Sequence, residues 1–376
     1  MGWNSWNEYA CDISDDVFVQ VADLVVNLGL RELGYKYVNI DDCWSTKGTT
    51  RDNSTQRIIP DPNKFPQGIR HVADEIHARG LKLGIYGDAD LKYDNCNIPQ
   101  EWVDVPYMYP DNGGTPNGNV PPGYDWSTSN SSTRYNRMRN ALLAQNRTIQ
   151  YSLCIWGHAN VVSWGNATGH SWRMFSDIYP AWTGTYQYSQ ALMPILNQAA
   201  FYANSATATS PWRKTAATSP SGPRSSPLII GTKLDAILPE ILAILKNEEL
   251  IAFNQDAVYG AGAIPYRWDG VGNETHPADY WAGSSSRGVH AFVLNTEDEE
   301  REMELVFDEI PGLREATGAG SGPYLVHDMW TGEDLGVFAS AVMLRVKRHD
   351  TAAVRINTAD GEFVTSDFGR VFAYLY

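Results

Sequence analysis

Through the first half of the chain, stretches with a helical apolar period alternate with short strand-like runs. Val17, Val21, Leu24, Val25 and Leu28 form one stripe, which predicts a helix from Ser14 to about Leu33. Ser14 suits its cap, and Asp15 and Asp16 suit its first turn. Tyr37-Val38-Asn39-Ile40 reads as a buried strand ending at Asp41-Asp42. A second helix is predicted from about Pro66 to Arg79, closed by Gly80. Further strands are predicted at Leu81–Tyr86, which ends at Gly87-Asp88, at Leu91–Tyr93 and at Ile149–Cys154. Strand–helix–strand alternation implies a parallel sheet. After about Gly260 the texture changes. Short runs such as Tyr280–Ala282, Gly288–Leu294, Tyr324–Trp330 and Asp350–Ile356 are separated by turn residues and read as an all-β module. The expectation is a (β/α)8 TIM barrel over residues 1–262, incomplete or perturbed, followed by an antiparallel β-sandwich over residues 263–376.

Two places disturb this pattern. The strand ending at Tyr86 and the strand at Leu91–Tyr93 are separated by only four residues. A parallel crossover ordinarily needs a dozen or more, so either the pair is antiparallel or a crossover helix is missing. The segment Ser205–Pro227 is rich in Ser, Thr, Ala and Pro, has no acidic residue and shows no usable period. By composition it reads as a disordered surface loop.

Composition narrows the function. Lys and Arg total 29 against 44 Asp and Glu, a net charge of −15, which argues against nucleic acid and anionic membranes as partners. No run approaches the roughly 18 apolar residues of a membrane span. The four cysteines, Cys11, Cys43, Cys96 and Cys154, form no CxxC pair or Cys/His cluster, so no metal site is expected. Five Asn-x-Ser/Thr sequons, at Asn53, Asn130, Asn146, Asn166 and Asn273, point to the secretory route, although no signal-peptide pattern precedes Met1-Gly2-Trp3. Aromatic residues make up 12% of the chain, which suits core packing and also suits pyranose rings stacked on aromatic faces.

Acidic residues recur at the ends of the predicted strands: Asp41, Asp42, Asp88 and Asp94. One such Asp would be read as a helix cap or turn residue. Repetition on successive strands favours catalysis, because barrel active sites sit at the C-terminal strand ends. Two carboxyl groups flanking a scissile bond are what glycoside hydrolysis requires. Lys92-Tyr93-Asp94 puts a cation and a carboxylate on one side of a strand, and Arg173 precedes Asp177 by four residues. On their own, both pairs are more often surface ion pairs.

The ordered blocks Met1–Asn7, Tyr37–Trp44, Gly80–Asp88, Lys92–Asp94 and Ser171–Ile178 resemble the melibiase-type α-galactosidases of glycoside hydrolase family 27. Gln150–Gly157 and Trp164–His170 resemble the fungal branch in particular. The resemblance implies a retaining hydrolase that releases terminal α-galactose from melibiose, raffinose-type oligosaccharides or galactomannan, without metal or cofactor, and is secreted. It implies Asp94 as nucleophile and Asp177 as acid/base. It implies Asp41 and Asp42 on the galactose 4- and 6-hydroxyls, Lys92 and Arg173 on further hydroxyls, Trp6 and Tyr86 as aromatic walls, and a Cys11–Cys43 disulfide.

Departures from the family keep alternatives open. Ile155 stands where animal and plant relatives carry a Glu that faces the carbon-2 substituent, so an α-N-acetylgalactosaminidase is one alternative. Relatives carry a crossover insert before the Lys92–Asp94 block, with a cysteine that pairs with the equivalent of Cys96. They also carry a pocket-forming stretch where this chain has Ser205–Pro227. A relative that binds galactosides without turnover is therefore the other alternative. The tail from Thr358 to Tyr376 runs past the family's usual end.

Overall fold

The computed structural model describes residues 1–46, 51–55, 57–87, 91–94, 98–110, 116–186, 189–204, 227–259, 262–268, 277–314 and 323–359. Its first layer is a parallel sheet of seven strands: β1 Gly2–Asn4, β2 Tyr37–Ile40, β3 Lys82–Tyr86, β4 Leu91–Asp94, β5 Tyr151–Cys154, β6 Ser171–Trp172 and β7 Ile229–Ile230. Their order is β7-β1-β2-β3-β4-β5-β6. The last strand lies beside the first, as a barrel requires and an open doubly wound sheet does not. Seven of the eight barrel strands are thus present among the described residues.

The pleat divides the sheet residues between two environments. Trp3, Val38, Ile40 and Ile85 are buried against Phe18, Val21, Val25, Val72 and Ile76 of the two flanking helices. Their neighbours Asn4, Asn39 and Gly84 occupy the alternate face, toward the barrel interior. The helices are shorter than predicted. The first runs Asp15–Asn27 and the second Gly68–Ala78. Both stop at a glycine in the left-handed region, Gly29 at φ 73° and Gly80 at φ 72°. After the first helix, Leu30 N–H donates to Val25 O and Gly29 N–H to Val26 O. After the second, Leu81 N–H donates to Ile76 O and Gly80 N–H to His77 O. This hydrogen-bond pair satisfies the last carbonyls and turns the chain toward the next strand. The expected continuation to Leu33 therefore fails at Gly29. Ser14 stands at the N-cap position, but its hydroxyl makes no capping hydrogen bond.

The short link between β3 and β4 does not make a hairpin. The strands are parallel, and the described residues pair only Ile85 with Leu91 and Tyr86 with Lys92. Register explains how this fits. β4 begins level with the end of β3, so the chain must step sideways and back by one residue, about 6 Å. Five Cα–Cα steps of about 3.8 Å span that easily. Of the two alternatives, the parallel pair without a crossover helix is the one realised. Residues 88–90 and the segment 205–226 lie outside the described residues, as does Cys96.

The C-terminal module is antiparallel. Six strands, Ile264–Tyr266, Tyr280–Ser285, Gly288–Leu294, Thr351–Thr358, Tyr324–Asp328 and Asp334–Phe338, form one sheet in that order. Arg301–Val306 and Ala341–Val346 form the second. Val289, Ala291, Val293, Val354 and Ile356 from the first sheet bury against Met303, Leu305, Val342 and Leu344 from the second. The alternation seen in Gly288–Leu294 thus becomes one apolar face between two sheets. The helix Glu248–Asn254 anchors this module to the barrel. Glu249 pairs with Arg287 at 3.1 Å and Arg355 at 3.4 Å, and Asp256 accepts from the Ser286 N–H at 2.8 Å. Among the described residues no helix is long and apolar enough to cross a membrane.

Candidate active site

The register brings the sequence-predicted residues to one end of the sheet. Ile40 pairs with Ile85, so Asp41 continues a row through Tyr86, Lys92, Ser152 and Ser171. Asp94 pairs with Cys154 one strand-pleat further along. Arg173 extends that second row, its N–H donating to Leu153 O at 2.8 Å. All of these positions lie at or just past the C-terminal ends of parallel strands, where barrel chemistry is sited. Asp94 and Arg173 belong to the same face of the sheet as Asp41 and Tyr86, because their positions differ by two residues.

Asp41 is held in place by its neighbours. It is 2% exposed, and its carboxylate accepts from Asn4 Nδ2 at 2.8 Å and from the Asp42 N–H at 2.9 Å. Its own N–H donates to the Ser5 hydroxyl at 3.0 Å. Asn4 also accepts from the Trp6 N–H at 2.9 Å, so one side chain positions both Asp41 and the backbone at Trp6. Asp42 accepts from the Cys43 N–H at 2.6 Å. Cys43 has φ 68°, a left-handed conformation that non-glycine residues rarely adopt. The disulfide to Cys11 ties this turn to the loop after β1, with Cα atoms 5.2 Å apart. Lys64 Nζ donates to Cys11 O at 2.6 Å and Cys43 O at 3.1 Å, closing the same corner. Trp44 Nε1 donates to Tyr86 O at 2.6 Å and fixes the end of β3.

The other half of the site is built around Arg173. Its Nη1 donates to Asp177 Oδ1 at 2.6 Å and its Nη2 to Phe175 O at 3.3 Å. Burial works against the guanidinium charge, but Cys154, Asp177 and Asp94 together outweigh it and raise the Arg173 pKa. One arginine therefore interacts with both carboxylates, Asp177 by direct contact and Asp94 through its field. Tyr135 lies on the same side: its hydroxyl donates to Cys154 O at 3.1 Å, and its pKa is raised by burial first and then by Cys154 and Asp94. Trp156 and Gly157 follow β5 with φ of 53° and 78°, a reversal that returns Gly157 N–H to Arg173 O at 2.9 Å. His158 beside it is held neutral, its pKa pushed down to about 4 by burial. Sequence reasoning missed Asn4 and Tyr135. Asn4 lies within the Met1–Asn7 block, two residues before Trp6, and was legible there. Tyr135 sits in a polar helix, Asn130–Leu143, and gave no comparable signal.

The described residues hold no group of three or more His, Cys, Asp or Glu arranged around a metal ion. The arrangement instead gathers Asp41, Asp94 and Arg173, with Asp177 bonded to Arg173, toward the C-terminal ends of the strands, and carboxyl groups placed about a bond are what glycoside hydrolysis requires.

Residues 1–206 match the family described as Alpha galactosidase A, and residues 275–356 match the Alpha galactosidase C-terminal beta sandwich domain. The chain belongs to the α-galactosidase (melibiase) family. A probable alpha-galactosidase B from Aspergillus oryzae is 41% identical over 409 residues, covering 94% of this chain and 92% of that protein. One from Aspergillus clavatus is 42% identical over 416 residues, covering 95% and 91%. Both alignments are longer than the 376-residue chain, so these α-galactosidases carry residues that this family member lacks. The crystal structure of alpha-galactosidase I from Mortierella vinacea superposes with a TM-score of 0.72 at 25% identity, covering 95% of this chain and 96% of that one. The Saccharomyces cerevisiae alpha-galactosidase with raffinose shares the fold, with a TM-score of 0.71 at 22% identity and coverage of 96% and 97%. The chain is thus a glycosidase of the α-galactosidase family, with a TIM barrel followed by a β-sandwich.

Proposed function

We propose that this chain releases terminal α-galactose from galactosides by a retaining double displacement, with residues 1–262 as the catalytic barrel and residues 263–376 as the sandwich. Asp94 attacks the anomeric carbon from the face opposite the leaving group. The carbon–oxygen bond breaks as Asp177 gives its proton to the departing oxygen. A galactosyl ester on Asp94 results. Asp177, now a carboxylate, takes a proton from water, and the water oxygen attacks the same carbon. Asp94 leaves as a carboxylate, Asp177 is reprotonated, and two inversions return the α configuration. Asp41 and Asp42 accept from the 4- and 6-hydroxyls, Lys92 and Arg173 hold further hydroxyls, and Trp6 and Tyr86 flank the ring.

The observation that supports this reading is geometric: Asp94 pairs with Cys154, Arg173 continues that row at the C-terminal strand ends, and Arg173 contacts Asp177 at 2.6 Å. The substrates are raffinose-type oligosaccharides and melibiose, for which the raffinose-bound yeast relative offers a precedent of fold. Secretion is supported by the Cys11–Cys43 disulfide and by the exposed sequon residues Asn53, Asn146 and Asn166. Hydrolysis of p-nitrophenyl α-galactoside by the purified chain tests the proposal. A folded protein that binds galactose but turns over no substrate would replace it with a galactoside-binding role.

A further inference from the structure

Just past the acid/base residue lies a small three-stranded sheet, Asp177–Ile178, Thr185–Tyr186 and Ser189–Gln190. Its register sets up one row of residues. Tyr186 pairs with Ser189, and Ser189 pairs with Asp177. Paired residues on neighbouring strands carry their side chains on the same face. Tyr179 follows Asp177 by two residues, and its N–H donates to Gln190 O at 2.8 Å, so it continues the ladder on that face. Asp177, Tyr186 and Tyr179 therefore share one face of the sheet.

The two tyrosine rings stack, with centroids 3.8 Å apart and an interplanar angle of 18°. Each residue is nonetheless 40% exposed. A stacked aromatic pair serving only the core would be covered. This one is presented to solvent beside a catalytic acid. The loop that carries it is also braced, since Trp182 stacks on His349 of the sandwich at 4.3 Å. The Tyr186 Cα lies two strand spacings from that of Asp177, about 10 Å.

The chemistry of Asp177 identifies the occupant. An acid that protonates the glycosidic oxygen must face the leaving group, because that oxygen departs with it. Galactose occupies the side of Asp94, and the remainder of the oligosaccharide occupies the side of Asp177. We propose that Tyr179 and Tyr186 form the platform on which the leaving-group sugar rests, an assignment that depends on Asp177 being the acid. The apolar C–H face of a pyranose packs on the rings, and a phenol hydroxyl can both donate to and accept from sugar hydroxyls. The platform makes this a subsite for oligosaccharides rather than for galactosides with small leaving groups.

The test compares raffinose, whose leaving group is sucrose, with α-galactosyl fluoride, which has no leaving-group sugar. The readout is the ratio of their kcat/KM values. Tyr186→Ala is expected to lower the raffinose-to-fluoride ratio about fivefold to tenfold, and Tyr179→Ala to move it the same way. Tyr186→Trp, which keeps an aromatic face, is expected to retain the wild-type ratio. An unchanged ratio in folded Tyr186→Ala or Tyr179→Ala would overturn the platform while leaving the hydrolase reading intact. A wild-type chain inert on the fluoride would instead refute the hydrolase reading, and the platform with it.

Discussion

Arg173 donates to Asp177 at 2.6 Å across four residues of sequence, and it stands in the same row as Asp94, with Cys154 of β5 between them. Both side chains of the contact are about 30% exposed, so solvent screens the pair and its value lies in position more than in stability. Arg173 Nη2 also reaches Phe175 O, a fork that a lysine does not reproduce. Arg173→Lys is therefore expected to lower kcat/KM about 10- to 100-fold with little change in unfolding midpoint. Steady-state kinetics and urea titration of the same preparation check both parts. Near-wild-type turnover in Arg173→Lys would mean that charge alone suffices.

Asp177→Asn removes the proposed proton donor but keeps the shape. It is expected to slow melibiose by about 10²- to 10⁴-fold, and p-nitrophenyl α-galactoside far less, because a good leaving group needs little protonation. Equal losses on the two substrates would take the acid role away from Asp177.

Asn4→Ala withdraws the amide donor from a carboxylate that is 2% exposed. A buried charge left short of a donor costs about 1–3 kcal/mol. The variant is expected to lose that much stability and, with Asp41 in the binding role proposed for it, to raise KM for galactosides more than it lowers kcat. A lower kcat at unchanged KM would place Asn4 in the chemical step instead.

The junction between barrel and sandwich predicts a pH response. His290 is fully buried with its Nε2 2.6 Å from the Ser285 hydroxyl, and burial pushes its pKa down to about 3. His158 is pushed down to about 4 in the same way. Both stay neutral in the fold, while the unfolded chain takes up protons from about pH 6.5 downward. Their contribution is complete above pH 6.5 and is lost as pH falls toward the folded values. Asp256 adds a more acidic component. Burial raises its pKa, but bonds from Ser286, Tyr259 and Val258 outweigh burial and lower it, so its contribution is lost only below the usual carboxylate range. Urea unfolding between pH 7 and pH 4 is expected to show falling stability. His290→Gln is expected to flatten the slope, and an unchanged slope would locate the proton uptake elsewhere.

Sequence patterning reached the architecture because strands such as Tyr37–Ile40 are short runs whose alternate positions, Val38 and Ile40, bury against helices, and because Asp41 and Asp94 stand at strand ends. Tyr37–Ile40 and Gly288–Leu294 form the strands at the positions predicted. The first helix was overextended because Leu28, Leu30 and Leu33 continue an apolar rhythm that Gly29 breaks by its backbone conformation, which no hydropathy pattern records. The β3–β4 connection stays open in the sequence between an antiparallel pair and a missing crossover helix, because register offset is a property of the pair and cannot be read from either strand; the parallel pairing decides for the second. The acids of the site were visible as a repeated motif. Tyr135 and the Tyr179–Tyr186 stack were not, since each acquires its role from a neighbour far away in the chain or on another strand.

The proposed double displacement passes through a galactosyl ester on Asp94, and that ester can be trapped. A fluorinated α-galactosyl fluoride has an activated leaving group but destabilises the charge that develops at the anomeric carbon, so the ester accumulates faster than water releases it. Mass spectrometry of the chain after incubation is expected to show one added fluorogalactosyl group, located by peptide mapping on Asp94 and absent in Asp94→Asn. An adduct on another residue, or none on a folded chain that still hydrolyses α-galactosides, would contradict the assignment.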